Sequence, residues 1–413
     1  MSLSSLSKSI ICMAIALNLG ACASIVPSRS SVLGGVLAEK GDTRPFETPL
    51  PVNTAHKKLA IGGRTTVGVK EDGSVWSWGG ASNGEMGDGR EFSSRYIPTK
   101  IEGMTDFIEV AGNGAHFLAL RRDGTVWSWG DNKYGQLGYK TDKGFSATPK
   151  QIVGLENIVS VAAATGHSLA LDKQGRVWGF GSNSGMELGS SPKDNLAHPN
   201  PSVIWTDVNS VKVIASAGQS AVLTSKGEVY YWGTDLFLHG SVIASLPKKY
   251  DFPLFIADVA MSNVIYVLSA DGFVWAQSGD NHAGRLGQGN FQDYTTPVKV
   301  KNIGRVKSIA AKLASGIALD EKGRIWQWGD SVRFPTIHSL QHNMEPLPIL
   351  VDTFSNALSV EAKSANAVLL ANGDVYFWGI NEGRRGAAKP PKDRGQIYSH
   401  EWLPTEKSLW TWK

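Results

Sequence analysis

The chain has 413 residues, with 41 basic against 37 acidic side chains, 46 glycines and 14 tryptophans. This length can bury a large core, and the near-balance of charge excludes a strong electrostatic footprint for nucleic acid. Glycine at that level, spread along the chain, predicts many tight turns and argues against a helical protein.

The first predicted element is a targeting segment. Lys8 and the amino terminus precede residues 10–19, which are apolar apart from Asn18. This run is short for a permanent span and suits a cleaved signal. Leu19-Gly-Ala-Cys22 follows and resembles the bacterial lipobox, in which the cysteine is acylated and becomes the new amino terminus. The resemblance implies a lipoprotein signal peptide over residues 1–21 and a lipidated (palmitate-type) Cys22. Several acyl chains anchor stably where one is marginal. Ala23 after the cysteine implies an outer-membrane location, on the periplasmic face or the cell surface. Residues 22–48, rich in Ser, Gly and other small residues, read as a flexible tether. Cys12 and Cys22 are the chain's two cysteines, so the processed protein would hold no thiol or disulfide chemistry.

From residue 49 to 413 one domain is expected, because a repeat runs through it. Asp72-Gly-Ser-Val-Trp-Ser-Trp-Gly79 recurs as Asp123-Gly-Thr-Val-Trp-Ser-Trp-Gly130 and Gln174-Gly-Arg-Val-Trp-Gly-Phe-Gly181. Looser copies begin at Lys226, Asp271, Lys322 and Asn372, and the first glycines fall at 73, 124, 175, 227, 272, 323 and 373. In each unit an apolar strand, such as His116-Phe-Leu-Ala-Leu120, leads into an x-Gly pair that supplies the positive φ of a tight hairpin. The Val-Trp-x-Trp strand follows, its β-branched and aromatic residues suited to a pleated surface. A short strand precedes the pair (residues 108–111, 158–163). A glycine loop such as Tyr134-Gly-Gln-Leu-Gly138 and a proline-bearing edge strand complete the unit, proline being tolerated at an edge because it lacks an N–H. Four strands per unit and seven units predict an all-β, seven-bladed β-propeller. The ring is expected to close through residues 49–52 or through the tail at 397–404.

Gly-x-x-His-Ser-Leu-Ala-Leu, Asp-Gly-x-Val-Trp-Ser-Trp-Gly and Gly-Gln-Leu-Gly together resemble the regulator of chromosome condensation (RCC1-type) repeat, over residues 55–400. The resemblance implies the propeller but no single activity. That family includes a nuclear exchange factor for a small GTPase, a plant ultraviolet-B photoreceptor, bacterial effectors and a secreted inhibitor of β-lactamases. An exported chain would meet no nuclear GTPase. The photoreceptor's Gly-Trp-Arg-His-Thr does not occur, and the turns before the apolar strands carry no aromatic of the inhibitor's kind.

No catalytic residues are predicted: there is no Gly-x-Ser-x-Gly elbow, and the glycine loops lack a Gly-Lys-Ser/Thr ending. No cofactor or metal is expected either. His338 and His342 are four apart in a loop-like stretch, while His116 and His167 occupy equivalent structural positions. Trp76, Trp78, Trp127, Trp129, Trp178, Trp232, Trp275, Trp326, Trp328 and Trp378 fall at repeated strand positions and read as fillers between blades. The loops after each Trp-Gly vary most, and loops on rigid scaffolds carry recognition. Tyr134, Phe237, Leu238, His282, Arg333, Phe334, Arg384 and Arg385 are the expected partner contacts. The expected function is therefore a lipid-anchored, envelope-located protein-binding propeller without catalysis, its partner an envelope protein. Inhibition of a β-lactamase or penicillin-binding enzyme is the alternative, and carbohydrate or cell-wall binding a second.

Overall fold

A computed structural model describes residues 48–378 apart from 190–192, 236–241, 332–342, 352–353, 355, 364 and 372–373. Every regular element among these residues is a β-strand, arranged as seven antiparallel sheets in which sequence neighbours pair. Blade 2 is representative: Phe107–Gly112, His116–Arg121, Val126–Asp131 and Phe145–Gln151, from first strand to fourth. The seventh blade has three described strands, Ala357–Ala362, Asn366–Leu370 and Val375–Trp378.

The first strand of each blade touches the first strand of the next, and Ala357–Ala362 of blade 7 touches Leu59–Ile61 of blade 1. The ring is therefore closed, as a seven-bladed β-propeller. The fourth strands form its rim, and the prolines lie there: Pro98, Pro149, Pro199, Pro201, Pro247, Pro346 and Pro348.

Hydrophobic cores lie between blades. Val67, Val69 and Val75 of blade 1 meet Phe107, Val110 and Phe117 of blade 2, sealed by Trp129. At the seventh junction Leu59, Ile61 and Trp78 meet Ala365, Ala367 and Val375. The two tryptophans of a strand share a face but differ in depth: Trp129 is fully buried whereas Trp127, two residues earlier, is half-buried. Burying an aromatic ring of this size removes 150–250 Å2 or so from water, so the blade junctions dominate stability.

Two glycine positions carry the backbone. The hairpin glycines, such as Gly124 with φ of 84°, make the turn. The glycine ending Trp-x-Trp-Gly has a different task. Gly130 has φ of 98°, and the ladder to the fourth strand shifts register between Ser128 and Gly130. A Cβ there would lie 2.4 Å from the Ala115 carbonyl oxygen. The same approach recurs at Gly79, Gly181, Gly233 and Gly329. Blade 5 departs from this pattern: Gln277 takes the tryptophan place opposite Ile265, so Ser278 and not Gly279 stands at the kink. Its fourth strand is reduced to Val298–Lys299.

Residues 49–52 do not close the ring. Leu50 donates its N–H to the Ala270 carbonyl and Asn53 to the Ala257 carbonyl, both in blade 5. From there the chain crosses to blade 2, where Val110 donates to the Lys57 carbonyl, before entering blade 1. The tail at 397–404 lies outside the described residues.

Candidate partner-binding face

Because the strands reverse direction, the wheel has a hairpin end, carrying the x-Gly turns, and a loop end. The loop end carries the first-to-second turns and the third-to-fourth loops. The third-to-fourth loops are held from within. Glu85 Oε2 accepts from the Ser82 and Asn83 amides at 2.8 and 2.7 Å. Glu187 Oε2 accepts from Gly185 N at 2.6 Å. Gln136 accepts from Tyr134 N at 2.9 Å and donates to Asp131 at 2.7 Å. The polar residue of Gly-Gln-Leu-Gly thus braces its own loop.

Each braced loop is then fastened to the following blade. Trp129 Nε1 donates to the Glu85 carbonyl at 2.8 Å, Trp232 Nε1 to Glu187 at 2.8 Å, and Trp328 Nε1 to Arg285 at 3.0 Å. Blade 3 has Phe180 at that place, and the Ser168 hydroxyl donates to the Gln136 carbonyl instead, at 2.8 Å. With its single proton so committed, Ser168 accepts from His116 Nε2 at 2.8 Å. His167 and Ser220 repeat the pair one blade on, at 3.1 Å. Burial, together with the charge of His167, pushes His116 down to about 3, and burial takes His167 to about 4. Both histidines are neutral spacers, and His116 Nδ1 has no hydrogen-bond partner.

Replacing Trp129 with phenylalanine should leave the Glu85 carbonyl without its donor, at a cost of about 2 kcal/mol. The urea midpoint should fall, and amide exchange at residues 82–86 should accelerate. An unchanged midpoint with unchanged exchange would contradict the fastening role.

On this rigid platform stand apolar side chains that no core requires. Phe92 of blade 1 is 70% exposed and Leu196 of blade 3 is 68% exposed. Tyr134, Phe291, Leu313 and Met344 are also exposed, on blades 2, 5 and 6. Of the expected contacts, Tyr134 is presented at the loop end with Lys133 over its ring. His282 is exposed there too, bonded to Asp280 and approached at 3.2 Å by the Arg285 guanidinium. Phe237, Leu238, Arg333, Phe334, Arg384 and Arg385 lie outside the described residues, as do Cys22, His338 and His342. Phe92, Leu196 and Phe291 were not expected. Each is an isolated apolar residue, Phe92 and Phe291 in loops and Leu196 in the fourth strand of blade 3, which the sequence does not distinguish from a covered one. Among the described residues no group of three or more His, Cys, Asp or Glu could hold a metal ion.

The regulator of chromosome condensation (RCC1) repeat matches at residues 72–120 and 123–171, and a second form of that repeat at 57–85, 107–136 and 158–185. The chain carries RCC1 repeats. The matched segments fall in blades 1 to 3. A human probable E3 ubiquitin-protein ligase, HERC6, is 33% identical over 210 residues, covering 48% of this chain but 20% of that protein. The RCC2 homolog of Xenopus laevis is 28% identical over 292 residues, 67% of this chain and 51% of the relative. The chain therefore spans a fifth to a half of these relatives' own lengths. Among solved structures, Prp20p of Saccharomyces cerevisiae, described with its binding properties to Gsp1p and histones, superposes with a TM-score of 0.64. Identity there is 20%, covering 78% of this chain and 91% of that one. That likeness establishes the propeller fold.

Proposed function

We propose that this RCC1-repeat protein is a non-catalytic adaptor, anchored to the bacterial outer membrane through Cys22, whose loop end binds another envelope protein. The observation that carries the reading is the set of exposed apolar side chains at the loop end, with Phe92 and Tyr134 on loops fastened by inter-blade hydrogen bonds and Leu196 at the start of the fourth strand of blade 3. Immobile loops lose little entropy on docking, and aromatic anchors supply most interface energy. Prp20p, which shares the fold, is described with its binding properties to Gsp1p and histones, and that precedent supports a protein-binding reading here.

Two measurements test the two halves separately. A photo-crosslinking residue at position 92, 134 or 196 should capture one protein species in cells, whereas the same group at Val208, exposed at the hairpin end, should not. Equal capture from both ends, or none from the loop end, rejects the adaptor reading. Cys22→Ser should move the protein from the membrane to the soluble fraction; retention in the membrane rejects the anchor.

A further inference from the structure

The central channel of the wheel holds a second arrangement, unrelated to the loop end and independent of any protein partner. A cavity of about 350 Å3 is lined by the seven first strands together with residues 53–61. Its hairpin end is crossed by the entering chain. Asn53 Nδ2 donates to Asp258 at 2.6 Å in blade 5 and His56 Nδ1 lies 2.7 Å from Glu109 in blade 2, while Lys57 Nζ reaches further along the channel to lie 2.9 Å from Glu361 in blade 7. These contacts join residues 205, 53 and 304 positions apart.

Its walls are graded. Near the hairpin end a polar tier runs through Glu109, Ser160, Lys212, Asp258, Ser308 and Ser359, each the residue beside the register shift of its strand. Two residues further along, the lining is small and apolar: Ala60, Ala111, Ala162, Ala260 and Ala310, with Ile214 in blade 4. Blade 7 alone breaks that collar, with Glu361.

The charges do not balance. Four lysines line the cavity, Lys57, Lys58, Lys212 and Lys363, against three carboxylates, Glu109, Asp258 and Glu361. Each carboxylate is engaged: Glu109 by His56, Asp258 by Lys212 and Asn53, Glu361 by Lys57. Lys58 donates to the Ile108 carbonyl at 2.7 Å. Lys363 follows the last residue of its strand, at the loop end, and the three carboxylates are held by other residues. Burial, and then the neighbouring Lys57 ammonium, push it down to about 8 against the pull of Glu361.

We propose that the channel is a binding site for a small organic monocarboxylate, its carboxylate on Lys363 and its hydrocarbon body on the alanine collar. The excess of four ammoniums over three carboxylates suits one further negative charge; a phosphate, carrying nearly two at neutral pH, leaves an uncompensated charge in a space already desolvated. The volume falls at the lower end of the usual range for small-molecule pockets.

The test uses the intact propeller and the series acetate, butyrate and hexanoate, with inorganic phosphate as comparison. The reporter is the 13Cε resonance of Lys363. Each carboxylate should raise the Lys363 titration midpoint from about 8, and affinity should grow about three- to fourfold per added methylene up to the limit of the cavity. Lys363→Met should abolish the binding and Lys363→Arg retain it. Glu361→Gln, which leaves a second ammonium without its counter-charge, should tighten it several-fold. An affinity flat along the series, a Lys363 midpoint that no carboxylate moves, or phosphate binding more tightly than butyrate would overturn the proposal. So would unchanged binding by a folded Lys363→Met protein.

Discussion

Gly130→Ala should be among the most damaging single-methyl changes in this protein, lowering stability by on the order of 3 kcal/mol or more. Two causes combine. An L-residue is strained at a φ of 98°, and the new methyl would meet the Ala115 carbonyl oxygen at 2.4 Å and the His116 Cα at 2.9 Å, both backbone atoms that cannot swing aside. Gly103→Ala separates the two causes. Gly103 has a φ of 76° but nothing within 4 Å of its would-be Cβ, so it should lose only the conformational part, about 1 kcal/mol. Urea unfolding of both variants gives the comparison. Equal midpoint shifts would show that backbone strain, and not the close approach, makes the Trp-Gly glycine necessary.

The second large effect is on pH. His116 and His167 have native values of about 3 and about 4, against 6.5 for an exposed imidazole. Below pH 6.5 the unfolded chain takes up protons that the native state refuses, so stability must fall as pH falls. The contribution of the two neutral rings is complete above about 6.5 and is lost progressively toward 4 and 3. Each group costs about 1.4 kcal/mol per pH unit inside that window. Going from pH 6.5 to 4.5 should therefore remove on the order of 5 kcal/mol. Blade 4 indicates the control, since Gln219 occupies the same place there. Replacing both histidines with glutamine should flatten the slope between pH 4.5 and 6.5. If the double variant keeps the wild-type slope, the buried rings are not its source.

The parts of this molecule that repeat were readable, because repetition makes local chemistry visible. The x-Gly hairpin, the Val-Trp-x-Trp strand and the rim prolines each have a reason confined to a few residues. Blade count and strand order follow from them. The kink at Trp-Gly was visible only as a glycine; its cause, the carbonyl of a residue some 15 positions earlier, is a tertiary contact. Register slipped at blade 5, where Gly279 looked equivalent although Ser278 holds the place, because one residue more separates Trp275 from the glycine than Trp127 from Gly130. The glutamine of Gly-Gln-Leu-Gly has no role legible in the sequence and is a brace. The route of residues 49–58 left no trace in the sequence at all, since Asn53, His56 and Lys57 find partners in three different blades and belong to no period. At the loop end Tyr134 and His282 could be singled out as departures from the repeat, whereas Phe92 and Leu196 could not. A lone apolar residue in an edge segment has the same appearance whether it is covered or bare.

That route across the hairpin end decides how the wheel bears mechanical load. A pull applied ahead of residue 50 first meets the hydrogen bonds from Leu50 to Ala270 and from Asn53 to Ala257, and only afterwards the ion pairs of His56 and Lys57. Tension is thus shared among blades 5, 2 and 7 before it reaches the first strand of blade 1. A chain attached directly to blade 1 would instead be peeled from one edge, a single bond at a time. The crossing thus acts as a strain relief, taking up a pull on the segment ahead of residue 50 before the first strand of blade 1 is loaded.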